Sequence, residues 1–101
     1  MRMLMHVEFP IEPFNSAVRD GSAGAKIQKI LADIKPEAAY FSEYDGCRGG
    51  TLVININDSS EVPRFAEPFF LTFNAKCRFR IAMNGDDLGR AGLEALGKQW
   101  G

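Results

Sequence analysis

Residues 38–57 read AAYFSEYDGCRGGTLVININ. Ala38–Tyr44 is strand-like and rich in aromatic residues. Asp45-Gly46 follows, a pair tolerant of positive φ and a strong signal for a tight hairpin turn. Thr51–Asn57 is the returning strand. Along it Leu52, Ile54 and Ile56 face one side, and Thr51, Val53, Asn55 and Asn57 face the other. What stands on either side of this hairpin decides the topology.

On its N-terminal side Met1–Phe9 alternates. Met3, Met5, Val7 and Phe9 share one face, and Arg2, Leu4, His6 and Glu8 the other, which is the period of a half-buried strand. Glu12–Ile34 reads as helix in two pieces. Ile27, Ile30, Leu31 and Ile34 make its buried stripe, and Asp20-Gly21-Ser22 is the break, with Ser22 the expected cap of the second piece. Pro36 ends the segment.

On the C-terminal side Asp58-Ser59-Ser60 offers helix caps, with Glu61 placed to reciprocate for Asp58. Val62, Ala66, Phe69, Phe70 and Phe73 form a helical stripe, which Pro68 is expected to kink or split. Ala75–Met83 is the fourth strand, with Cys77, Phe79, Ile81 and Met83 opposite Lys76, Arg78, Arg80 and Ala82. Asn84 then caps a terminal helix whose stripe runs from Leu88 to Leu96. The order is β-α-β-β-α-β plus a C-terminal helix. That is the ferredoxin-like α+β arrangement, an antiparallel four-stranded sheet with helices on one face.

Composition agrees with one soluble domain spanning residues 1–101. Twelve basic and thirteen acidic residues give a net charge of −1, against the basic excess of a dedicated nucleic-acid binder. No stretch approaches the roughly 20 apolar residues of a membrane span. Arg2, His6 and Glu8 interrupt any apolar export signal, so the expected location is the cytoplasm. Cys47 and Cys77 read as free thiols. Two Cys and a single His, widely separated, are not a metal-ligand pattern, and neither metal nor cofactor is expected. Gly21-Ser22-Ala23-Gly24-Ala25-Lys26 lacks the spacing of a phosphate loop.

Several local strings support a resemblance. They are Val7-Glu8-Phe9-Pro10, Tyr40-Phe41 followed by Glu43, Asp45-Gly46, Arg48-Gly49, Glu67-Pro68-Phe69-Phe70 and Asp87-Leu88-Gly89. With the element order, they make the chain resemble the dimeric α+β barrel superfamily, and within it a group of small bacterial proteins of unknown function. The resemblance covers nearly the whole chain. It implies the strand order four, one, three, two, and an open sheet face that packs on a second copy as a homodimer. It also implies small ligands held beside the sheet. Members include cofactor-independent monooxygenases, isomerases, haem-handling enzymes and ligand-sensing domains. Haem-degrading relatives place a His on a helix, whereas His6 lies on the first strand.

The residues that carry chemistry gather on the expected open face. His6 and Glu8 point the same way from the first strand, with Arg78 and Arg80 beside them on the fourth and Thr51 and Asn55 on the third. Neighbouring strands lie about 4.8 Å apart, so these groups can meet. A His near a carboxylate suits general-base work, and an Arg suits an anionic substrate or a developing enolate. His6 and Glu8 are therefore the candidate catalytic residues. Arg78, Arg80, Asn55, Tyr40 and Phe70 are the candidate ligand contacts, with Phe70 and Trp100 at the pocket mouth. The competing reading makes Glu8–Arg80 an ion pair at a dimer interface and His6 a satisfied interface residue. For the phenylalanine run, core packing competes with an aromatic ligand site. Three functions remain open: a small homodimer that binds or turns over a small organic anion, a non-enzymatic dimeric interaction module, and a cofactor-independent monooxygenase or isomerase.

Overall fold

Alternation in the first strand organises the sheet. In β1 (Arg2–Glu8) Met3, Met5 and Val7 are buried, and the residues between them are half-buried on the other face. The computed structural model, which describes residues 1–101, adds β2 (Ala38–Tyr44), β3 (Cys47–Asn55) and β4 (Lys76–Ile81). The four strands form one antiparallel sheet in the order β2-β3-β1-β4. β2 and β3 are joined by a two-residue turn with Asp45 and Gly46 at φ 49° and 78°. Both positive angles match the twist of a tight hairpin.

Helices α1 (Ile11–Arg19), α2 (Ala23–Ile34) and α3 (Val62–Phe73) cover one face. Ala17, Ile30, Ile34, Phe65, Phe69 and Phe73 close over Met3, Met5, Val7, Leu52 and Ile54 in one core. Phe9 meets Phe14 and Phe73 edge-on, with ring centroids 5.0 and 5.3 Å apart, and Phe14 stacks on Phe73 at 4.8 Å. The phenylalanine run is thus core at Phe65, Phe69 and Phe73, and only Phe70 turns outward.

Local details depart from expectation in four places. α1 and α2 break at Gly21 (φ 81°), but Ser22 makes no side-chain cap. Instead Asp20 Oδ1 accepts the Ser22 N–H at 2.8 Å, and the Ser22 hydroxyl is buried without a partner. The Asp58–Glu61 box does not close, because Glu61 Oε2 accepts the Asn57 N–H at 2.8 Å. Pro68 does not split α3, since packing of Phe65, Phe69 and Phe73 holds the helix across it. Finally, the terminal helix is two short helices, α4 (Gly85–Gly89) and α5 (Leu93–Trp100), separated at Gly92 (φ 73°). The Asn84–Asp87 capping box at the head of α4 does form.

α4 and α5 make few contacts with the sheet–helix body, and Asp87 of α4 shares a surface cavity with Arg2 and Asn55 at its edge. The molecule measures 60 × 28 × 19 Å, with a radius of gyration of 17.0 Å against about 13 Å for a compact domain of this length.

Phe69 is fully buried at the centre of the helix layer. Phe69→Ala is expected to cost about 3–5 kcal/mol in urea denaturation, the range for an aromatic truncation that leaves a cavity.

Candidate functional site

Register places the candidate residues. Tyr40, Thr51, His6 and Arg78 are successive partners across β2, β3, β1 and β4, so they form one transverse row on the open face. The next row is Ser42, Gly49, Glu8 and Lys76. All of these but Lys76 line a cleft of about 100 Å³, with Tyr44 beside them. Gly49 lies in the row beneath it. A Cβ there would come within 2.9 Å of Tyr44 Cβ and 3.2 Å of the Val7 carbonyl oxygen.

Inside the cleft, His6 Nδ1 lies 3.1 Å from Thr51 Oγ1. With Nδ1 donating to Thr51, Nε2 keeps its lone pair for a proton. Arg78 Nη1 donates to Glu8 Oε2 at 3.4 Å, and its guanidinium carbon lies 5.5 Å from the Tyr44 ring centroid. Glu8 is one-fifth exposed and Arg78 about half exposed, so the pair is only partly withdrawn from water. The arrangement offers a cation for an anion, a hydroxyl and an imidazole for hydrogen bonding or proton transfer, and a carboxylate that orients the cation.

Three expected ligand contacts lie elsewhere. Arg80 pairs in register with Leu4, one row away from His6, and the ion pair expected between it and Glu8 is taken by Arg78. Asn55 sits opposite Arg2 at the far end of the sheet, where its Oδ1 accepts from the Met1 amino group at 2.9 Å. Phe70 belongs to α3, in the layer behind the sheet, so it cannot reach the open face. Tyr44 and Gly49 were not among the expected residues. The two-residue turn carries their signal, since it pairs residue 44 with 47 and 42 with 49 and so sets the face of the whole second strand.

A second, larger cavity of about 480 Å³ opens on the helix side of β2, between Phe9, Phe14, Ile27, Phe41 and Arg48. Arg48 donates to Asn15 Oδ1 at 2.8 Å and lies 4.6 Å from the Phe14 ring centroid. No group of His, Cys, Asp and Glu is placed to hold a metal ion. No helix is long and apolar enough to cross a membrane. Cys47 and Cys77 are free, and burial pushes the Cys77 thiol up to about 11.

No family model matches the sequence, and no curated protein does. Among solved structures, the fold is similar to 5-chloro-2-hydroxyhydroquinone dehydrochlorinase from Burkholderia phenoliruptrix AC1100, determined in complex with 2,5-dihydroxybenzoquinone. The TM-score is 0.56 at 16% identity, over 85% of this chain and 97% of that one. A de novo designed protein, Ferredog-Diesel, matches with a TM-score of 0.48 at 12% identity, over 80% of this chain and 85% of its own. The α+β fold with its four-stranded antiparallel sheet is shared with a natural enzyme of nearly the same extent.

Glu8→Gln is expected to change folding stability by less than about 1 kcal/mol in urea denaturation, because the ion pair is solvent-screened. Gly49→Ala, by contrast, is expected to lose about 1–3 kcal/mol by the same measurement, since the added methyl meets backbone. Iodoacetamide at pH 8 should label Cys47, which lines an open cavity beside the hairpin, well before Cys77 in the native protein. Mass spectrometry of the labelled peptides distinguishes the two.

Proposed function

We propose that the open-face cleft binds a small organic anion and that a second copy of this chain covers it in a homodimer. Arg78 is the anchor for the anion, Tyr40 and Thr51 supply hydroxyls, and His6 is the group that takes or returns a proton. Glu8 holds Arg78 in place. The observation that carries the reading is the single row Tyr40–Thr51–His6–Arg78, in which every side chain is polar and every position faces away from the core.

The similar dehydrochlorinase structure holds a dihydroxybenzoquinone, a flat, oxygen-rich ring with acidic hydroxyls. That chemistry suits an Arg and an imidazole, so hydroxylated quinones, phenolates and small carboxylates are the first ligands to try. The reading needs neither metal nor cofactor, and it includes the proton transfers of an isomerase or, with O2 as oxidant and the deprotonated substrate as the electron source, a cofactor-independent monooxygenation.

A second reading makes the polar face a dimer contact alone, favoured by the Glu8–Arg78 pair lying on it. Thermal melts separate the two. A bound anion stabilises the folded state by about 2.7 kcal/mol at one hundred times its dissociation constant. The expected result is a higher Tm with at least one anion of the panel, lost in Arg78→Ala and in His6→Ala, while both variants remain dimeric by native mass spectrometry. Weakened dimers with no ligand-induced shift in the parent protein would favour the contact reading.

A further inference from the structure

We propose that the C-terminal arm, residues 85–101, docks on a second copy of this chain, laying Leu93, Leu96 and Trp100 against the apolar end of that copy's open sheet face. The proposal rests on the homodimer reading above and adds which part of one copy meets which part of the other.

The arm presents an unsatisfied apolar stripe. Leu93, Leu96 and Trp100 recur at i, i+3 and i+7 along α5, and they are 57, 44 and 80 % exposed. Leu88 on α4 is 45 % exposed. Glu94 and Lys98 pair with each other at 3.6 Å, one turn apart. Helices of five and eight residues are marginal in water without tertiary packing. These two have almost none on their own body, so another surface must supply it.

The open face supplies a matching surface. One row across it is Ala38, Val53, Leu4 and Arg80: three apolar side chains ending in a cation without an ion-pair partner. Lys76, further along β4, is also unpaired. The arm brings Asp86, an exposed carboxylate with no ion pair, ahead of its apolar stripe. The charges are therefore complementary as well as the apolar surfaces. β4 is an edge strand, and the chain leaves it at Ile81, next to the Arg80 row.

Area favours a second copy over a one-sided partner. A buried Trp alone contributes about 150–250 Å². Exchange of two arms about a two-fold axis counts each contact twice, which moves the total toward the roughly 800 Å² per partner of a stable interface.

Trp100 is the only tryptophan, so its emission reports the arm directly. Emission is read from high to low protein concentration, beside native mass spectrometry, for the parent and the Leu93→Asp/Leu96→Asp variant. The body of that variant should fold, because both positions lie off it. The expected result is blue-shifted emission in a dimer, moving to the red on dilution as the dimer dissociates. The variant should emit red and dimerise at least tenfold more weakly. A dimer with water-exposed Trp100 at every concentration would overturn arm docking while leaving the homodimer standing. Blue-shifted emission in a monomer would overturn it by showing that the arm folds back on its own body. A red-emitting monomer at all concentrations would remove both readings.

Discussion

The structure depends on a sheet that is covered on one side only. Met3, Met5 and Val7 on β1 and Leu52 and Ile54 on β3 form the buried centre of its helix-facing side, with Ala39, Cys77 and Phe79 packed beside them. Because strand side chains alternate strictly, committing these residues to the core commits their neighbours to the opposite face. A slip of one residue would put His6 and Glu8 under Phe69 and Phe73, where an unpaired charge is expensive. The apolar core therefore fixes the position of each polar group on the open face without contacting any of them.

That constraint explains the composition of the cleft. Polar residues from four strands share two adjacent rows, since the register aligns Tyr40 with Thr51, His6 and Arg78, and Ser42 with Gly49, Glu8 and Lys76. Gly49 is necessary here, because a side chain would strike Tyr44 and the backbone of β1. Stability has little use for the charges: Glu8 and Arg78 keep much of their hydration, and partly exposed pairs contribute weakly. A cation, an imidazole and a hydroxyl are thus held close together at little structural benefit, which supports the ligand role proposed for them.

The sequence made most of the sheet legible and part of the site. Alternation in β1 is unbroken, so His6 and Glu8 could be placed on one face from the residues alone. Arg78 and Arg80 were placed together for the same reason, yet their neighbours differ because the antiparallel pairing sets His6 against Arg78 and Leu4 against Arg80. Asn55 shares the face but stands four residues along β3 from Thr51, about 13 Å away at strand rise, which alternation cannot register. Phe70 was misplaced because a helical stripe gives the buried side of α3 without giving the layer it belongs to. β2 was ambiguous, since nearly all of it is exposed at the sheet edge and its aromatics occupy both faces. Its orientation was nonetheless encoded, in the two-residue Asp45-Gly46 turn, once β3 is allowed to begin at Cys47 rather than Thr51.

A chain of 101 residues has little interior to spare. Fifteen hydrophobic residues are buried, and α4 and α5 bring none of them. Seventeen residues of helix and turn thus add length to the molecule without adding core. The same economy leaves Leu4 and Val53 only half-buried on the open face. An unpacked arm and an uncovered sheet face are complementary deficits, and both arise at the end of the sheet where β4 terminates beside β1. One molecule cannot resolve them if its arm points away from its body, but two related by symmetry can. On that view the partner is held at the apolar end of the same face, and the polar cleft that it covers keeps its side chains for a ligand.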